Sequence, residues 1–260
     1  MSAVIDMQNE VKKPSFLWFS TEIGRAALEY AFMLPYRYLY TNEVTGDGHP
    51  VFVIPGFMAT DKSTKPLRDF LNKIGYNAYG WGLGRNYGEE EHIDILLNQV
   101  DVLFQKHKKK VSLIGWSLGG IFVRQIAKTN PHLIRQVITL GSPFGSITGS
   151  NHASWLHKFI TGGKGDDIID PELLLDIPKP APVPTTAIYS KQDGIVPWEY
   201  CMEEETDIHQ NIQVIGSHLG FGVNPIVLQI IEDRLKHNRS DWAKFEPKSS
   251  FEEKLVVEHN

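Results

Sequence analysis

The sequence predicts an α/β fold, with a mainly parallel central sheet and helices on both faces. Three observations point there. From residue 50 onward, short apolar runs alternate with segments of helical periodicity. At 260 residues the chain has the length of one such domain. One apolar run leads directly into Gly115-Trp116-Ser117-Leu118-Gly119, and that pentapeptide leads directly into a helical segment. Strand, tight turn and helix in that order lift a serine hydroxyl above the end of a sheet. The turn is crowded, and glycine at 115 and 119 removes the side-chain atoms that would collide.

The elements follow in order. Val51-Phe52-Val53-Ile54 reads as a strand ending at Pro55-Gly56. Residues 65–74 read as a helix with Leu67, Phe70, Leu71 and Ile74 on one face. Residues 76–79 read as a strand. The helix at 92–107 is carried by Ile95, Leu96, Val100, Leu103 and Phe104. The pentapeptide lies between a strand at 111–115 and a helix at 120–128. Further strands are expected at 136–140, 185–189 and 212–215, and a last helix at 225–235. Right-handed crossovers through the helices make the strands parallel.

The chain divides into an N-terminal extension (1–48), the α/β domain (49–240) and a C-terminal tail (241–260). Within the domain, residues 144–184 break the alternation. They read as a small lid or cap insertion, carrying the short amphipathic piece Trp155 to Ile160. An insertion there lies over the C-terminal ends of the strands, where open α/β sheets bind ligands. A long connecting loop is the other reading.

The formal net charge of −5 argues against nucleic acid as a partner. The one basic cluster, Lys106 to Lys110, reads as a solvated helix end. Cys201 is the only cysteine, which excludes an intrachain disulfide and fits a reducing compartment. No secretory signal is recognised at the N-terminus, so a cytoplasmic location is expected. Residues 16–40 are rich in aromatic side chains but are interrupted by Glu22, Arg25 and Glu29, and so do not read as a membrane span. Ile23, Ala27, Tyr30 and Leu34 share a helical face, with the three charges off it. This face packs against the domain or a second subunit, or rests on a membrane as a peripheral contact. Pro35 is expected to end or kink the helix.

A serine hydroxyl needs a base to take its proton and a third group to orient that base. Asp193 and His218 each follow a predicted strand directly, and so lie on the same rim as Ser117. They are the expected acid and base, with Ser117 as nucleophile. Glu199 and Asp207 are alternative acids. His218 alone among the histidines follows the last predicted strand, and His49 reads as a structural hydrogen-bonding residue. An oxyanion hole would use the backbone N–H of Leu118 and one N–H of the loop after the first strand, at Phe57 or, one residue on, Met58. Met58, Trp116, Trp155, Phe159 and Leu219 are candidates for an apolar substrate pocket. There is no third glycine at dinucleotide-binding spacing after Gly82 and Gly84, no phosphate-loop Ser or Thr after Gly163-Lys164-Gly165, and no metal-ligand spacing.

Ile54-Pro55-Gly56-Phe57, the pentapeptide, Gly141-Ser142-Pro143, Asp193-Gly194-Ile195-Val196-Pro197 and Ser217-His218-Leu219-Gly220 together resemble the α/β-hydrolases of the lipase and esterase type. The order Ser, Asp, His is also theirs. The resemblance covers about residues 49–237 of the chain. Trp81 to Asn86 and Val223-Asn224-Pro225 add a likeness to bacterial lipase-like hydrolases. What the resemblance implies is a carboxylic-ester hydrolase acting without a cofactor; a short- to medium-chain esterase is expected first and a lipase on lipid interfaces second, with a small-molecule or lipid ester as substrate. Many lipases carry His-Gly before the oxyanion residue, where this chain has Pro55-Gly56. Acyl transfer, thioester hydrolysis and a non-enzymatic binding role on the same fold remain alternatives.

Overall fold

The structure, a computed structural model, describes residues 11, 13–39, 44–145, 170–238, 240–247 and 256–257. A seven-stranded sheet runs in the order β2-β1-β3-β4-β5-β6-β7. The strands are β1 (Pro50–Ile54), β2 (Asn77–Gly80), β3 (Val111–Trp116), β4 (Ile134–Leu140), β5 (Thr185–Tyr189), β6 (His209–Val214) and β7 (Val256–Val257). The first six are parallel, and β7 runs antiparallel along β6. The helices are α1 (Phe16–Leu39), α2 (Asp61–Lys73), α3 (His92–His107), α4 (Leu118–Thr129), α5 (Pro171–Asp176) and α6 (Pro225–Lys236).

Alternation along buried strands builds two cores. Val51, Val53, Ile114, Ile138, Ile188 and Ile212 face one side, against Leu67 and Phe70 of α2 and Val227 and Ile231 of α6. Phe52, Ile54, Leu113, Val137 and Ala187 face the other, against α3 and α4. At the C-terminal ends, Ile54 pairs with Gly115, Trp116 with Leu140, and Tyr189 with Gln213. The loops after β1, β3, β5 and β6 therefore emerge on one rim. The order reverses at β1 and β3, which puts the loop after β1 beside the turn after β3, at the switch point where such sheets bind ligands.

Three expectations are corrected. Helix α2 begins four residues early, because Thr60 caps it by accepting from Lys62 N–H and Asp61 opens its first turn. Strand β6 extends back through His209-Gln210-Asn211, polar residues held by pairing with Thr185, Thr186 and Ala187. The described part of the C-terminal tail is packed. Phe245 is buried, its backbone is bridged by the Gln210 amide, and Val256-Val257 close the sheet edge.

The largest difference concerns α1, which continues through Pro35 rather than ending there. Its orientation is the reverse of an ordinary amphipathic helix. Ile23 is 77% exposed, and Ala27, Tyr30 and Leu34 are exposed with it. Glu22 is 3% exposed, and Arg25, Glu29 and Met33 face the domain with it. Residues 146–169, with Trp155 and Phe159 and most of the expected lid, lie outside the described residues.

Candidate active site

Ser117 lies between β3 and α4 with φ 53° and ψ −122°, a conformation that costs a non-glycine residue about 1–3 kcal/mol. The turn is held by Ser117 N–H donating to Leu140 O at 2.8 Å and by Gly120 N–H donating to Ser117 O at 2.9 Å. Its neighbours must be small. A side chain at Gly115 would collide with the backbone of Gly119 and Gly120, and one at Gly119 with the carbonyl oxygens of Ile54 and Pro55. Both obstacles are backbone, so neither can swing aside. We expect Gly119→Ala to lose about 3 kcal/mol of stability in urea denaturation. Unchanged stability would refute this account of the turn.

His218 opens the loop after β6, and its Nδ1 lies 2.6 Å from Asp193 Oδ2. The other Asp193 oxygen accepts from Ile195 N–H at 2.8 Å and Val196 N–H at 2.7 Å, which fixes the carboxylate. Asp193, rather than Glu199 or Asp207, is thus the partner of the imidazole. With Nδ1 engaged, Nε2 is the nitrogen that can take a proton. Burial alone would lower the His218 pKa. The Asp193 charge and hydrogen bond, with the Glu22 charge, outweigh it and hold the imidazole above its ordinary value.

Ser117 and His218 are joined through their neighbours. Trp116 Nε1–H donates to His218 O at 3.0 Å. Gly141, next to the carbonyl that accepts Ser117 N–H, stands against His218 Nδ1. Trp116 was an expected pocket residue, but its indole is buried in the core, where it supports the histidine loop. His49 is structural, buried between Asp47 Oδ1 at 2.5 Å and Ser112 Oγ at 2.8 Å.

The loop after β1 faces the serine, with a Cβ on Gly56 falling 3.0 Å from Ser117 Cβ. Met58 N–H is used, donating to Asn86 O at 2.6 Å. Leu118 opens α4, where the first backbone N–H groups have no acceptor within the helix. Buried Asn86 holds the loop, because its side-chain amide donates to Pro55 O at 2.8 Å and its N–H to Ala59 O at 2.9 Å. Arg85 adds a bond to Met58 O at 2.8 Å. In the sequence, Arg85-Asn86 stands out only within Trp81 to Asn86, through the likeness to bacterial lipase-like hydrolases. An asparagine between glycine-rich turns was the available signal.

An apolar pocket opens beside Leu118, lined by Ile121 and Phe122 of α4, Leu173 and Ile177 around α5, and Ile93 of α3. Met58 and Leu219 are exposed. Among the described residues, no group of three or more His, Cys, Asp or Glu side chains is arranged to hold a metal ion.

This sheet, with its strained serine turn after β3 and its loops after β5 and β6, is the α/β-hydrolase fold of lipases and esterases. More particularly, residues 50–173 match the model of the palmitoyl protein thioesterase family. Among solved structures the chain is similar to lipase B of Aspergillus fumigatus, at 17% identity and a TM-score of 0.57. That match covers 76% of this chain and 55% of the lipase, so the chain spans little more than half of that protein's length. It is also similar to a lipase-esterase related protein of Clostridium acetobutylicum, at 17% identity and a TM-score of 0.50 over 72% of this chain and 95% of that one. A pyrethroid hydrolase of Sphingobium faniae matches at 14% identity and a TM-score of 0.50, over 72% and 96%.

Proposed function

We propose that the chain is a serine hydrolase that cleaves carboxylic esters of apolar acyl groups through an acyl-enzyme. The observation that carries this reading is the 2.6 Å contact of His218 Nδ1 with Asp193, on the rim where Ser117 is held at positive φ. Ser117 Oγ attacks the acyl carbonyl as His218 Nε2 takes its proton. The oxyanion is met by the N–H groups of Leu118 and Phe57. The tetrahedral intermediate collapses, and the same proton passes to the departing alkoxide. A water deprotonated by His218 then cleaves the acyl-enzyme, which restores the serine. The pocket beside Leu118 takes the acyl chain. Hydrolysis of a p-nitrophenyl ester series from acetyl to palmitoyl tests the reading. A dependence on chain length is expected, and complete inactivity of the folded protein would overturn it.

A thioester substrate is the second reading, favoured by the family match over residues 50–173. Parallel rates on acyl-thioester and oxyester analogues of one chain length separate the two.

The substrate is proposed to be lipid, met at a bilayer surface. Phe16, Leu17, Phe19, Ile23, Leu28 and Phe32 of α1 are exposed, while Glu22, Arg25 and Glu29 of that helix are turned into the domain. The opposite, charged face meets the His218 loop, where Leu219 is also exposed. No helix among the described residues is long and apolar enough to cross a membrane, so the contact is peripheral. Binding to phosphatidylcholine vesicles is expected to fall at least tenfold when Phe19, Ile23 and Phe32 are changed to Glu, with hydrolysis of a soluble short-chain ester retained. Undiminished vesicle binding by that variant would sink the membrane reading.

A further inference from the structure

The loops that carry Asp193 and His218 leave different strands, and one carboxylate from outside the α/β core touches both. Glu22 Oε1 accepts from Gly194 N–H at 2.8 Å and from His218 N–H at 3.2 Å, and Oε2 accepts from Leu219 N–H at 3.2 Å. Arg25 supplies a fourth donor at 2.8 Å and reaches Gly216 O at 3.4 Å. The approach is close, since a Cβ on Gly194 would stand 2.5 Å from the backbone of Trp18. Glu29, two turns along the helix, accepts from Ser217 N–H at 2.8 Å and from its hydroxyl at 3.1 Å. Helix α1 therefore holds the histidine loop through Glu22, Arg25 and Glu29, and the aspartate loop through Glu22.

We propose that Glu22 is a positioning residue for the hydrolytic site. It sets the Asp193 and His218 loops relative to each other, and its charge favours the imidazolium formed when His218 takes the serine proton. The inference rests on the serine-hydrolase reading. Two anionic groups act on His218, namely Asp193 from the loop after β5 and Glu22 from α1. Arg25 and Glu29, also from α1, stand on the adjoining residues Gly216 and Ser217. Glu22→Gln keeps the shape, removes the charge and sets an amide donor against Leu219 N–H. Arg25→Gln removes the cation that offsets Glu22.

The test is the rate of covalent labelling of the full chain by a fluorophosphonate, followed from acid to alkaline pH. The wild type, Ser117→Ala, Glu22→Gln and Arg25→Gln are compared. We expect Glu22→Gln to label about tenfold more slowly, with its acid limb lower by about half a pH unit. The limb of Arg25→Gln is expected to move upward. A purely structural role would slow labelling without moving either limb, and limbs coincident with the wild type overturn the proposal. Should Glu22→Gln fail to fold, Arg25→Gln decides, because a raised limb supports the proposal and an unmoved one overturns it. A wild type that does not label, or labels equally in Ser117→Ala, overturns the serine reading and this inference together. A labelled wild type with unmoved limbs overturns only the role of Glu22.

Discussion

Ser117→Ala is expected to lower ester hydrolysis by about 10⁵–10⁶-fold and to abolish fluorophosphonate labelling, with the fold intact. The size follows from what the hydroxyl does. In the proposed mechanism no acyl-enzyme forms without it, and only the proposed oxyanion donors and the apolar pocket are left to assist attack by water. Alanine tolerates φ 53° no better than serine, and the side chain removed is small and 4% exposed. The change should therefore leave stability nearly level, so that lost activity reports chemistry. Equal hydrolysis by both proteins would remove Ser117 as nucleophile.

Asp193→Asn is expected to lower kcat by about 10⁴-fold. The carboxylate does two things here. It accepts the Nδ1 proton at 2.6 Å, which fixes the tautomer that leaves Nε2 basic, and it stabilises the imidazolium. An asparagine can present its amide to Nδ1 and so select the wrong tautomer. The pH profile carries a second signature. The Asp193 charge and hydrogen bond act against burial to raise His218, so without them burial prevails and the acid limb should move to lower pH. The sign matters for activity, because the base works only when neutral. In the wild type the rate should climb through a pKa above the ordinary histidine value of 6.5. A profile for Asp193→Asn that kept its acid limb would show that another group tunes the histidine.

The middle of the sheet was legible in the sequence because β1, β3, β4 and β5 are buried on both faces and so read as short apolar runs between turn residues. The serine turn was legible for a steric reason, since a backbone this crowded admits only glycine at 115 and 119. Asp193 and His218 were legible from their places directly after strands. The loop donors were half legible. The sequence offers Phe57 and Met58 side by side, and the Met58 N–H bond to Asn86 depends on a residue nearly thirty positions away.

Of the three places the sequence offered for the apolar face of α1, the structure rules out packing against the domain, and the cause is physical. Apolar periodicity assigns the inward face by assuming that a helix meets an apolar surface. This helix meets the ends of two loops, which offer the backbone N–H groups of Gly194, Ser217, His218 and Leu219. Donors of that kind need acceptors when they are buried. Glu22 and Glu29 are seven residues apart, on one face, and they provide them. Nothing local to residues 16–39 signals that need. It arises from loops nearly two hundred positions away.

The arrangement of α1 also bears on how the protein can be handled and how it can change. A designer seeking a better-behaved soluble version would first trim the greasy N-terminal segment. The residues that make it greasy alternate, within the same few turns, with those that clamp the reacting loops, so the trimmed enzyme would be easier to purify and poorer at its task. Natural variation faces the same coupling. The outer face can drift one side chain at a time, but the helix cannot be discarded whole, and a binder raised against that outer face would gain a lever on the serine without entering the pocket.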